Sequence, residues 1–203
     1  MKITGLSRTK NKKRINIEVD EEFAIAIEEG TLIKFNLFVD QQVTKEKLRE
    51  IKRLDIEEYG FRKSLDFLSR RLRSEKEIFD YLNRRIELED EDLKNEFINN
   101  IIARLEENKY IDDKEFAHFL ITSRVKSGKK SRKEIEKDLI KFAIDKDIYE
   151  ELLKKEYTQA KEIEIIKHLV QKRLSNKSEK QKIIEYLLRK GFPWDLVKRS
   201  LNE

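Results

Sequence analysis

The sequence predicts a mainly α protein: three tandem three-helix repeats in an elongated curved stack, with a small N-terminal β-hairpin or sheet. Three observations carry this. The apolar pattern changes period, from about 2 before residue 43 to about 3.6 after it. A capping signature, S-x-x-E/Q, recurs at Ser74, Ser131 and Ser178. And 5 Gly with 1 Pro leave too few turn formers for an all-β sandwich or barrel, while Lys, Glu, Leu and Ile are abundant.

In chain order, Arg14-Ile15-Asn16-Ile17-Glu18-Val19 and Phe23-Ala24-Ile25-Ala26-Ile27 alternate polar and apolar residues. Asp20-Glu21-Glu22 between them predicts a tight turn and an antiparallel hairpin. Leu32 to Val39 is expected to add a strand, because a lone hairpin is marginal in water. From Thr44 the helical stripe Leu48, Ile51, Ile56, Tyr59 predicts a helix that stops at Gly60. Phe61, Leu65, Leu68 and Leu72 give the next helix, and Ile78, Leu82 and Ile86 another. The acidic run 87–92 precedes the stripe Phe97, Ile98, Ile101, Ile102, Leu105. Phe116, Ala117, Leu120, Ile121 and Arg124 follow, then Ile135, Leu139 and Phe142. Helices start near Asp147 and Thr158, and two more fill 178–202.

The repetition sets the organisation. In each capping box the Ser oxygen can accept an amide of the first turn while Glu or Gln reaches back to the cap. Leu139, Ile148 and Leu153 have the spacing of Leu187, Leu196 and Leu201. Ala143-Ile144-Asp145 falls opposite Gly191-Phe192-Pro193 at a helix–helix corner. The expected divisions are 1–43 for the β extension, 44–60 for a connecting helix, and 61–107, 110–154 and 157–203 for the repeats. Such units bury their apolar faces by stacking on one another. Nine helices spaced 8–10 Å apart would extend on the order of 60–90 Å.

Composition excludes several classes. Cysteine is absent, which removes disulfides, thiolate metal sites and Cys nucleophiles. Two His are too few for a His-based metal cage. No Walker A or GxGxxG sequence is present, so no nucleotide site and no cofactor are expected. No run nears the ~18 apolar residues of a membrane span, and no apolar h-region follows Met1. A soluble, cytoplasmic, monomeric protein with no membrane contact is the expectation. The net charge is +5, and residues 156–203 alone carry eleven basic and seven acidic groups. That surplus points to an anionic partner.

The basic residues recur at the repeat corners. Residues 116–133 hold no acid, and Arg124, Lys126, Lys129, Lys130, Arg132 and Lys133 crowd around Gly128. Arg70, Arg71, Arg73 and Lys76 occupy this place in repeat 1, and Lys172, Arg173, Lys177 and Lys180 in repeat 3. Equivalent corners along one side would form a stripe able to meet phosphates. The competing reading is a solvated loop. Arg71, Arg124 and Arg173 stand equally as caps of last-turn carbonyls or as partners of a neighbouring carboxylate. Asp112-Asp113 with Glu115 is the most enzyme-like cluster, able in principle to hold Mg²⁺ in a nuclease. The favoured reading is an N-cap at Asp112 with acids against the helix dipole, and no metal. Phe192 and Trp194 are read as a hydrophobic plug for the last repeat. The six tyrosines show no stacking pattern.

Tyr110-Ile111-Asp112-Asp113-Lys114-Glu115-Phe116-Ala117 with Arg124, Gly128, Ile135 and Leu139 resembles the central signature of the RecX family of recombination regulators. Leu187-Leu188-Arg189-Lys190-Gly191-Phe192-Pro193-Trp194 resembles its closing corner, and Arg71-Leu72-Arg73-Ser74-Glu75-Lys76-Glu77 its opening one. The match spans roughly 60–203, and the N-terminal hairpin resembles the extension of longer members. The acidic stretch 87–92 and Ala143, where the family usually has Gly, depart from the pattern. The resemblance implies a non-enzymatic regulator that binds the groove of a RecA filament on single-stranded DNA and damps ATP hydrolysis and strand exchange. It implies direct but weak contact with DNA phosphates. A basic repeat module that binds nucleic acid without any recombinase is the alternative.

Overall fold

The computed structural model describes residues 1–10, 14–175 and 179–202. Two units divide the chain: Met1–Arg71 with Ile78–Tyr110, and Leu72–Glu77 with Ile111–Glu203.

In the first unit, β1 (Ile3–Arg8), β2 (Ile15–Val19) and β3 (Glu22–Ile27) form an antiparallel sheet in the order β1-β2-β3. The hairpin read from the alternation is present, with Ile17 opposite Ile25 and Ile15 opposite Ile27. Asp20 and Glu21 make its two-residue turn, both at positive φ (49° and 71°). That is the backbone whose twist matches the flanking strands. Leu32 to Val39 is not a strand. The chain instead forms the short helix α1 (Glu29–Lys34), and the segment after it returns to the free edge of β1. There Ile3 N–H donates to Gln41 O and Asp40 N–H to Ile3 O, both at hydrogen-bond length. β1 itself, unpredicted, supplies the pairing that the expected third strand was to provide. Ile3, Ile17, Val19, Ile25, Ile27, Leu37, Val43, Leu48 and Ile51 close one apolar core beneath the sheet.

Helix α2 (Lys45–Leu68) starts at Thr44, whose hydroxyl accepts Lys47 N–H. It does not stop at Gly60 but runs 24 residues, merging the two helices expected over 44–60 and 61–72. Gly60 is there for closeness rather than for termination. A Cβ on it would lie 2.5 Å from Ile101 Cδ1 and 3.5 Å from Ile86 Cδ1. Ile101 belongs to α4 (Glu91–Glu107), which Asp90 caps by accepting Leu93 N–H. The acidic run 87–92 is therefore the capping segment of α4, with Glu91 and Asp92 against the positive end of its dipole. Before it, α3 (Glu75–Asn83) buries Ile78 and Leu82.

The second unit holds α5 (Asp113–Ser127), α6 (Arg132–Lys141), α7 (Lys146–Glu156), α8 (Gln159–Ser175), α9 (Lys180–Arg189) and α10 (Trp194–Asn202). Their apolar stripes merge into one core running from Phe116 to Val197. Of the three capping boxes, the one at Ser131 is complete. At Ser74 the hydroxyl accepts Glu77 N–H at 3.3 Å. Ser178 lies outside the described residues, and α9 is preceded by Glu179 without a side-chain cap.

Candidate partner- and nucleic-acid-binding surface

Helix α5 ends because Gly128 adopts the left-handed conformation (φ 62°) that only glycine takes without strain. Lys129 and Lys130 then lead to the Ser131 box. Ser131 Oγ accepts Glu134 N–H and donates to the carbonyl of Lys190, and Lys190 Nζ reaches Glu134 at 2.7 Å. Tyr157 O–H donates to Lys130 O at 3.2 Å. The link 128–131 is thus tied to α7's end and to the corner after α9.

The six cations of this corner fall into two sets. Arg124 Nε meets Asp138 Oδ2 at 3.0 Å, Lys130 bonds the same oxygen, and Arg132 pairs with Glu136 at 3.0 Å. Burial acts most strongly on Asp138 and would raise its carboxyl. The hydrogen bonds from Lys130 and Arg124 outweigh it, so the carboxyl titrates below the ordinary Asp range. Lys126, Lys129 and Lys133 are exposed, and no carboxylate among the described residues pairs with them within 4 Å. An unscreened ammonium at a loop and helix start is what a phosphate or carboxylate partner needs. Beside Lys126 lies an open hollow of about 670 Å³ that adds Lys161 and His168 of α8, together with Glu156 and Glu164. Lys161 and His168 escaped the sequence reading because more than thirty residues separate them from Lys126, and helical periodicity says nothing about which helices become neighbours.

The other candidates are placed as follows. Arg70 and Arg71 are exposed just past α2. Arg73 pairs with Glu77 at 3.1 Å in a mostly buried contact. Lys172 is exposed, whereas the Arg173 guanidinium lies 3.4 Å from the Tyr186 ring centroid. Lys177 lies outside the described residues. Of the residues left open above, Arg124 is held by Asp138 and Arg173 lies on the Tyr186 ring.

The motif residues are explained by packing and capping. Asp112 Oδ1 accepts Lys114 N–H and Glu115 N–H at 2.7 and 3.0 Å, as the capping reading expects. Asp113 Oδ1 accepts Glu75 N–H at 2.8 Å, which fixes the segment 72–77 in the second unit. Ile111, Phe116, Ala117 and Phe192 are buried, and Phe116 meets Phe142 edge-to-face at 5.1 Å. Gly191 has φ 88°, and a Cβ there would sit 2.9 Å from Lys133 Cδ. Trp194 corrects the plug reading: it is 54% exposed while Phe192 is 3% exposed. As the first residue of α10 it stands outside the apolar stripe that Leu196 and Val197 fill.

A buried acid lies close by. Glu162, in the first turn of α8, is 8% exposed. Loss of hydration raises its carboxyl above the ordinary Glu range, against the opposing pull of Arg132 and Tyr157. Burial and the Glu162 charge likewise push the Tyr157 phenol upward.

Comparison with known proteins gives consistent matches. Residues 1–44 match the family model "Regulatory protein RecX N-terminal domain", and residues 160–201 match "RecX, third three-helix domain". The chain is 33% identical over 210 residues to regulatory protein RecX of Listeria monocytogenes serotype 4a (strain HCC23), covering 100% of this chain and 76% of that one. It is 31% identical over 207 residues to that of Bacillus subtilis (strain 168), covering 99% and 76%. A crystal structure of regulatory protein RecX aligns with TM-score 0.71 and 25% identity over 100% of this chain and 99% of the other. RecX from Lactobacillus salivarius aligns with TM-score 0.62 and 28% identity over 73% and 96%.

Proposed function

The chain belongs to the RecX family of regulatory proteins, and on that premise we propose that it regulates the RecA recombinase. In this reading it binds the groove of the RecA filament on single-stranded DNA. The observation that supports it best is the trio Lys126, Lys129 and Lys133, which keeps its charge unspent at a corner whose other cations are held by Asp138 and Glu136.

The tied link at 128–131, with the end of α5 and the start of α6 on either side, presents these ammonium groups at little entropic cost on binding. Contacts to neighbouring recombinase subunits and to DNA phosphates hold the subunits in one conformation. ATP hydrolysis requires them to cycle, so it slows, and strand exchange slows with it. The protein contributes no reacting group.

The test is an ATPase assay with RecA on single-stranded DNA. Hydrolysis falls as the protein is added, and the variant Lys126→Gln/Lys129→Gln/Lys133→Gln loses most of that effect. Unchanged hydrolysis at saturating wild-type protein refutes the proposal.

A further inference from the structure

The first unit carries a second basic feature that the repeat corners do not explain. A groove of about 780 Å³ is lined by Arg14, Lys52, Tyr59, Arg62, Lys63 and Arg85, against the carboxylates of Glu28 and Glu87. Two of the five cations are committed: Arg14 bonds buried Asp55, and Arg62 bonds Glu28. The other three are not neutralised. Among the described residues no carboxylate lies within 4 Å of Lys52, Lys63 meets Asp66 at 3.9 Å and stands 5.7 Å over the Tyr59 ring centroid, and Arg85 stacks 4.0 Å from the Tyr81 ring centroid.

Their arrangement is linear. Lys52, Ile56, Tyr59 and Lys63 are spaced i, i+4, i+7 and i+11 on α2, so they form one stripe along the groove. Eleven residues of helix span about 16 Å. A compact anion would meet one end of such a row, whereas a strand that repeats its phosphate every few ångströms can meet both ends. Between the two lysines sits a tyrosine ring. A cationic track with an aromatic face along it is the arrangement that binds single-stranded nucleic acid without reading its sequence.

We infer that this groove is a binding site for single-stranded nucleic acid, with phosphodiesters on Lys52, Lys63 and Arg85 and one base against Tyr59. The site is independent of the recombinase and of the lysine corner near Gly128.

The test measures binding of the full-length chain to a fluorescein-labelled oligothymidylate, without any recombinase, over a range of salt. Lys52→Gln/Lys63→Gln, two positions on the surface of a long helix, is compared with wild type and with the corner variant Lys129→Gln/Lys133→Gln. Each phosphate contact on a single strand contributes about 0.7 to the slope of log affinity against log salt. The groove variant lowers that slope by about 1.4, in the wild-type background and in the corner variant alike. Tyr59→Leu weakens binding about fivefold or more and leaves the slope unchanged. Circular dichroism verifies that each variant keeps its helix content.

An unchanged slope in the groove variant overturns the inference, as does absence of binding by the wild type. Competition by inorganic phosphate or thymidine monophosphate as effective, per phosphate, as the oligonucleotide also overturns it, since that marks a small-anion pocket. The readout contains no RecA, so failure here is separable from failure of the ATPase experiment.

Discussion

Ala143 and Gly191 hold the same left-handed backbone, at φ 56° and 88°, at the same point of two helical corners, the one after α6 and the one after α9. In each, the next residue closes a six-residue hydrogen-bonded loop: Ile144 N–H to Leu139 O at 3.1 Å, and Phe192 N–H to Leu187 O at 3.2 Å. This is the Schellman closure of a helix, which glycine suits and alanine tolerates at a cost. The left-handed conformation costs a residue with a Cβ roughly 1–2 kcal/mol.

Replacing Ala143 with Gly therefore stabilises the second unit, by about 1 kcal/mol once the extra chain entropy of Gly is subtracted. Gly191→Ala destabilises it by more, because its Cβ also lands 2.9 Å from Lys133 Cδ. Urea unfolding followed by circular dichroism reads both, and equal midpoints for Ala143→Gly and wild type contradict the strain argument.

Asp55 is the polar hub of the first unit. It is 1% exposed and accepts from Arg14, from Glu28 N–H at 2.8 Å and from Thr31 Oγ1 at 2.6 Å. One carboxylate thereby joins the residue that leads into β2, the entry to α1, α1 itself and α2. Asp55→Ala leaves a guanidinium and two further donors without their acceptor and costs about 3–5 kcal/mol. Asp55→Leu/Arg14→Met, which removes both charges, recovers part of that loss. Hydrogen exchange across β2 and β3 locates the damage.

Features set by chemistry within a few residues are legible in this sequence, and those that depend on distant neighbours are not. The hairpin turn expected at Asp20-Glu21-Glu22 and the Ser131 box follow from chemistry within four residues, and both are present, the turn itself being Asp20-Glu21. Gly60 was misread because termination and close packing leave the same letter in a sequence. Only Ile101, forty-one residues on, tells them apart. β1 is hard to see in the sequence because Gly5 and Ser7 interrupt its alternation, and its partner β2 is already claimed by the hairpin with β3. At the candidate site the cluster 124–133 was legible as charge. Which lysines stay free depended on Asp138 and Glu136, acids one or two helical turns into the next helix.

Glu162 predicts a pH dependence. A carboxyl whose folded value is raised contributes stability that is fully present below the unfolded Glu value, about 4.3, and is lost as pH rises through the folded value. Glu162→Gln removes the cost of burying a charge while keeping the shape and a hydrogen-bond acceptor. Its unfolding midpoint exceeds the wild-type midpoint at pH 7, and the two converge below pH about 4. A variant less stable than wild type at pH 7 shows instead that the attraction to Arg132 outweighs the desolvation.

Asp138 makes stability and binding move in opposite directions. Its carboxyl is depressed, so its contribution is present above the unfolded Asp value, about 3.9, and is lost as pH falls through the folded value. Asp138→Asn weakens the tie between α5 and α6 by about 1–2 kcal/mol, a figure kept small because Arg124 is 38% exposed and water screens its share. It also flattens the acid limb of the stability curve. The same change frees Arg124 and Lys130 beside Lys126, Lys129 and Lys133. If positive charge at this corner is what the anionic partner meets, the variant binds RecA-coated single-stranded DNA more tightly at low salt, with a steeper salt dependence. If Asp138 instead holds Arg124 and Lys130 in the pose that makes contact, binding weakens along with stability. Paired measurements of unfolding midpoint and filament affinity on this one variant separate charge from positioning.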